Sequence, residues 1–89
     1  MTAGKLRLAA SGRRSLDGLP EKVAAAIVEF MFGPLLEEPR RVGQPLSRGL
    51  TGDRAARRGS YRIVYRLDEE SETIDVVRLD LRSRAYRPR

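Results

Sequence analysis

Ala55-Ala-Arg-Arg-Gly-Ser-Tyr-Arg-Ile-Val-Tyr-Arg-Leu67 reads as two strands joined by a tight turn at Gly59-Ser60. Tyr61, Ile63, Tyr65 and Leu67 alternate with Arg62, Val64 and Arg66, which is the period of a half-buried strand. One face is apolar and points at a core. The other carries guanidinium groups on rigid backbone, where a site gains precision. A row of arginines on a sheet face asks for an anionic partner, and phosphate suits the planar guanidinium fork.

Outward from this hairpin the rest of the sheet can be read. Gly52 to Arg58 forms the strand before the turn, and Ser60 to Leu67 the strand after it. The acidic run Asp68-Glu-Glu-Ser-Glu72 makes the next turn. Thr73 to Leu81 is a further strand, with Val77 and Leu79 on one face and Arg78, Asp80 and Arg82 on the other. Upstream, Lys5-Leu-Arg-Leu-Ala9 alternates as a short first strand. Ser11 is placed to cap a short helix over 12–17, which Gly18-Leu-Pro20 ends. Pro20 then opens a second helix. Its stripe of Val23, Ala24, Ile27, Val28, Phe30, Met31 and Leu35 has helical spacing, and Gly33-Pro34 should kink or end it. Glu37 to Gly49 holds two prolines and two glycines and reads as a surface loop anchored by Leu46 and Leu50. The expected fold class is α+β: two helices on one face of a four-stranded, mostly antiparallel sheet, in the order β-α-α-β-β-β.

Composition narrows the chemistry. The 89 residues make a single domain, 1–89, with a small core. Cysteine and histidine are both absent. That leaves no disulfide, no thiolate or imidazole metal site, and no Ser/His/Asp or Cys/His catalytic set. No cofactor and no metal are expected. No apolar run approaches the roughly 20 residues of a membrane span, and Met1 to Ala10 has no long apolar segment of a signal peptide. The reading is a cytoplasmic protein without membrane contact.

The formal net charge is +6, and all eighteen basic residues except Lys5 and Lys22 are arginine. Such a balance suits nucleic acid, an anionic membrane surface or an acidic protein. The charge is uneven. Residues 1–39 carry five basic and five acidic side chains, while residues 40–67 carry eight arginines against Asp53 alone. Residues 68–75 hold five acids and no base, and residues 76–89 hold five arginines against Asp80. Arg54, Arg58, Arg66, Arg78, Arg84 and Arg87 are therefore candidates for RNA phosphates, beside Arg57, Arg62 and Arg82. Tyr61 and Tyr65 fall in phase with the apolar face and are expected in the core. Tyr86 lies in the polar tail and is the tyrosine placed to stack on a base.

Arg57-Arg-Gly-Ser-Tyr-Arg-Ile-Val-Tyr65 resembles the signature of the RelE/ParE superfamily of bacterial toxins. Leu19-Pro-Glu21, the Glu38-Pro39 loop and Leu81-Arg-Ser-Arg-Ala-Tyr-Arg87 also fit, so the resemblance covers nearly the whole chain. It implies the toxin of a type II toxin–antitoxin system, of the branch that enters the ribosomal A site and cuts mRNA. It also implies an acidic, RelB-like antitoxin that silences the toxin in a hetero-oligomer. On the matching positions, Arg62, Arg57, Arg82 and Tyr86 take the catalytic roles. Arg62 contacts the scissile phosphate, and Tyr86 stacks on a base or assists proton transfer. Many relatives have a histidine where this chain has Leu81, and two lysines where it has Asp53 and Ala55. Two other readings compete: a ParE-like poison of DNA gyrase, and a catalytically inactive binding module of the same fold.

Overall fold

The hairpin of residues 55–67 is the spine of the sheet. The computed structural model describes residues 4–46 and 52–81, and of Leu81 the backbone alone. Strands β3 (Asp53–Arg58) and β4 (Tyr61–Asp68) pair antiparallel, with Arg58 opposite Tyr61 across the turn. Gly59 takes φ 62° at the first central position of that turn, a left-handed conformation that a Cβ would strain. β5 (Thr73–Leu81) pairs antiparallel on the other side of β4. Asp68 shapes the acidic turn between them: its Oδ1 accepts the backbone N–H groups of Glu70 and Ser71 at 3.2 and 3.4 Å.

β1 (Lys5–Leu8) lies parallel to β5 at one edge, and β2 (Gly43–Pro45) lies antiparallel to β3 at the other. The sheet therefore has five strands, in the order β1-β5-β4-β3-β2. The four expected strands all form, and the fifth corrects the reading of 37–49 as loop. Three residues ending in Pro45 show no alternation to read. A proline is tolerated there because β2 is an edge strand.

Helix α1 (Ala10–Asp17) begins two residues before the expected start, and Ser11 does not cap it. The Ser11 hydroxyl instead donates to the Val77 carbonyl at 2.6 Å. A bulge in β5 presents that carbonyl. Val64 pairs with Arg78 but Tyr65 with Val76, which leaves Val77 as the extra residue. Gly12 permits the close approach, because a Cβ there would run into the Val76 carbonyl oxygen. Helix α2 (Glu21–Phe30) follows Pro20, and the chain then passes through a π-helical turn over Met31–Leu35. The wider turn absorbs Pro34, which has no N–H to give, so Gly33-Pro34 does not end the helical path there. A short α3 (Pro39–Val42) leads into β2.

The α2 stripe behaves as its spacing predicts. Ile27, Met31 and Leu35 are at most 1% exposed and meet Ile63, Tyr65, Ile74 and Val76, which are fully buried. Burying a side chain of this size contributes about 1.5–3 kcal/mol. The bulge changes phase within β5: Ile74 and Val76 point into the core, and after Val77 the core residue is Leu79. That shift keeps Arg78 and Asp80 on the face away from the helices.

Candidate nucleic-acid interface

Cross-strand register sorts the outer face of the sheet into rows. Far from the Gly59 turn, Arg7, Asp75, Arg66 and Asp53 lie side by side across β1, β5, β4 and β3. Their charges alternate. Arg7 Nε is 2.8 Å from Asp75 Oδ1, and Arg66 Nε is 2.8 Å from Asp53 Oδ1. This row neutralises itself. Near the turn, Asp80, Arg62 and Arg57 lie side by side across β5, β4 and β3. Asp80 Oδ2 accepts from Arg62 Nη2 at 3.3 Å and from Arg78 Nε at 3.1 Å. One carboxylate therefore serves two guanidiniums, and Arg57 has no ion-pair partner among the described residues. The excess positive charge of the outer face gathers at the Arg57–Arg62 end.

A groove of about 380 Å³ opens beside that pair, between β2 and the middle strands. Val42, Pro45, Leu46 and Ala55 give it apolar walls, with Gln44, Arg57 and Arg62 as its polar lining. Gln44 sits opposite Ala55 in register, so its side chain shares the outer face with both arginines. Neither Gln44 nor the role of Asp80 is legible in the sequence. Gln44 lies in a stretch without periodicity. Asp80 differs from a solvated acid only through its placement between Arg62 and Arg78.

The structure separates the expected arginines. Arg57, Arg62 and Arg78 share the outer face near the groove. Arg66 is on that face too, but in the neutral row. Arg54 is a correction: it sits opposite Tyr65, on the helix side. Its Nη2 donates to the carbonyls of Arg40 and Gly43, each at 3.0 Å, and so ties α3 and β2 to β3. The alternation within β3 puts positions 54, 56 and 58 on the face of Ile63, a parity that Arg-rich composition conceals. Arg58, opposite Tyr61, is exposed at the hairpin end on that same side. Arg82, Arg84, Tyr86 and Arg87 lie outside the described residues. Tyr65 is a core residue as expected, and Tyr61 is partly buried against the core. The Tyr65 hydroxyl donates to the Pro39 carbonyl, and burial pushes its phenol pKa up, partly offset by the Arg54 guanidinium.

Helices on one side of a mostly antiparallel sheet, with paired arginines on the other, define a small α+β domain with a basic outer face. The chain belongs to the ParE toxin family of type II toxin–antitoxin systems, within the RelE/ParE superfamily; the family model matches residues 6–86. It is 49% identical to Toxin RelG of Mycobacterium tuberculosis (strain ATCC 25618 / H37Rv) over 82 residues, covering 92% of this chain and 94% of that protein. It is 48% identical to Toxin RelE of the same organism over 80 residues, covering 90% and 82%. Among solved structures, the toxin–antitoxin complex RelBE2 from Mycobacterium tuberculosis contains a chain of 47% identity, with TM-score 0.86 over 93% of this chain and 95% of that one. The archaeal RelE–RelB complex from Pyrococcus horikoshii OT3 contains a chain of the same fold at 21% identity, with TM-score 0.64 over 94% and 99%. Among the described residues no helix is long and apolar enough to cross a membrane.

Proposed function

We propose that this toxin is a metal-independent endoribonuclease that cuts mRNA on the ribosome and is silenced by an acidic, RelB-like antitoxin. The observation that carries the reading is the facing pair of Arg57 and Arg62, fixed on paired strands beside a groove. The relatives named RelE and RelG support it, and the 47%-identical chain found in the complex RelBE2 supports an antitoxin partner. In the reaction, the ribose 2′-oxygen attacks the neighbouring phosphorus while its proton passes to a base. The bond to the 5′-oxygen breaks, and that oxygen takes up a proton. The products are a 2′,3′-cyclic phosphate and a 5′-hydroxyl. Arg62 and Arg57 stabilise charge growing on the phosphoryl oxygens, with Arg82 and Tyr86 completing the set carried over by the resemblance. No described side chain in the groove is a good base. Arginine stays protonated, Asp80 is committed to Arg62 and Arg78, and Asp53 is held by Arg66 in the neutral row. Orientation of the substrate by the ribosome must then supply much of the rate.

The test is induced expression without antitoxin, with primer extension on abundant mRNAs after a few minutes. Discrete cuts within translated frames are expected. They should vanish in Arg62→Ala and in messages whose translation is blocked, while antitoxin binding is nearly kept. Growth arrest without cuts, accompanied by cleaved DNA–gyrase complexes, would overturn the reading in favour of gyrase poisoning, which the ParE description of the family model favours. Robust cutting of naked RNA by the pure protein would reject the ribosome dependence.

A further inference from the structure

We infer that the groove beside Arg57 and Arg62 is a nucleobase subsite, and that Gln44 reads the base. The inference deepens the ribonuclease reading and rests on it for the source of the nucleotide. A nucleotide needs three things of a pocket: an apolar wall for a flat ring, a donor and acceptor for its edge, and cations for its phosphate. The groove has all three in one volume. Val42, Pro45 and Ala55 form the apolar wall, Gln44 carries both an amide donor and an amide acceptor, and the two guanidiniums stand at the end nearest the hairpin turn. The roughly 380 Å³ volume is at the low end for small-ligand sites, which suits one base rather than a stack.

Gln44 is also held still at its backbone. Arg54 fixes the Gly43 carbonyl, Leu46 N–H donates to the Asp53 carbonyl at 3.0 Å, and β2 pairs with β3 on both sides of Gln44. Gly43 has no room for a Cβ against Tyr65, so β2 sits hard on the core. Meanwhile the Gln44 side chain is exposed and makes no hydrogen bond among the described residues. Single-stranded RNA is recognised by hydrogen bonds to the edges of splayed bases, and an uncommitted amide on a pinned backbone supplies such a contact with precision. An acidic peptide would pair with Arg57 but has no planar ring to set against the apolar wall.

The test uses the full toxin chain and the four 2′-O-methylated dinucleotides ApA, CpC, GpG and UpU, which cannot be cleaved. Binding is followed by NMR on the Gln44 side-chain amide and the Ala55 and Arg57 backbone amides. The tightest of the four should exceed the weakest by about fivefold or more, since a good amide–base contact discriminates by at least that much. Gln44→Ala should flatten the preference. Ala55→Leu should fill the floor and weaken all four; circular dichroism confirms that this variant is folded, and the exposed Gln44→Ala serves where it is not. Equal binding of the four, or a preference that Gln44→Ala leaves unchanged, overturns the inference. In cells, Gln44→Ala should redistribute the cut sites. If the wild-type chain makes no cuts yet discriminates the dinucleotides through Gln44, the ribonuclease reading fails and the base subsite stands. If it cuts with a spectrum identical in Gln44→Ala, the ribonuclease reading stands and the base subsite fails. If Ala55→Leu abolishes antitoxin binding with no change in dinucleotide affinity, the groove takes a peptide, and the inference is overturned.

Discussion

Tyr65 joins three parts of the molecule through one side chain. Its ring is buried against the α2 stripe, its hydroxyl reaches the Pro39 carbonyl, and its neighbour across the strands is Arg54. Tyr65→Phe removes a buried hydrogen bond and should cost about 1 kcal/mol in a denaturant titration. It should also change the pH dependence. The folded phenol pKa is raised mainly by burial, so near pH 10 and above the unfolded chain loses its proton first. Wild-type stability therefore holds below the unfolded value of about 10 and falls as pH rises towards the folded one. The Phe variant should lose that alkaline decline. Equal slopes in the two proteins would sink the assignment. The same residue shows what the sequence could say. Alternation placed Tyr65 in the core, but nothing in the letters paired its hydroxyl with Pro39, 26 positions upstream.

At the scale of elements, α1 and β5 depend on each other. Ser11 and Gly12 read as the cap and start of a short helix, yet both contact the carbonyls that the β5 bulge pushes forward. Gly12→Ala should force α1 away from β5 at a cost of roughly 1–3 kcal/mol, the usual penalty for overpacking. A thermal melt reads this directly, and an unchanged or raised Tm would refute the docking. Gly33→Ala is the control, since a Cβ there meets nothing within 4 Å. The bulge itself is invisible in Thr73 to Leu81. That stretch alternates well enough to be read as a regular strand, and only pairing with β4 reveals the extra residue.

At the scale of the whole molecule, the positive charge is sorted by face as well as by sequence. Composition showed arginines crowded into 40–67. Of those on β3 and β4, the fold puts Arg66 in the neutralised row, Arg57 and Arg62 beside the groove, and Arg54 and Arg58 on the helix side. A binding experiment with single-stranded RNA at several salt concentrations separates these classes. Arg57→Ala should lower the slope of log K against log salt by about 0.7, the counterion share of one phosphate contact. Arg54→Ala should leave that slope unchanged and reduce thermal stability instead. A drop in slope for Arg54→Ala and none for Arg57→Ala would reverse the assignment of the two residues.

The sequence by itself determined the elements whose signals are local and repeated. The period-two run of Tyr61 to Leu67, the helical stripe of α2 and the glycine turn at Gly59 each recur within a few residues. They sufficed for the α+β class and for the expectation of a phosphate-binding face. The family resemblance rested on the same stretches. Tertiary structure alone decided the rest, because it depends on which distant residues become neighbours. β2 exists only because β3 offers it an edge. Asp80 acquires a role only between Arg62 and Arg78. Gln44 enters the groove only when Gly43 is pressed against Tyr65, and the face to which each arginine belongs follows from strand register.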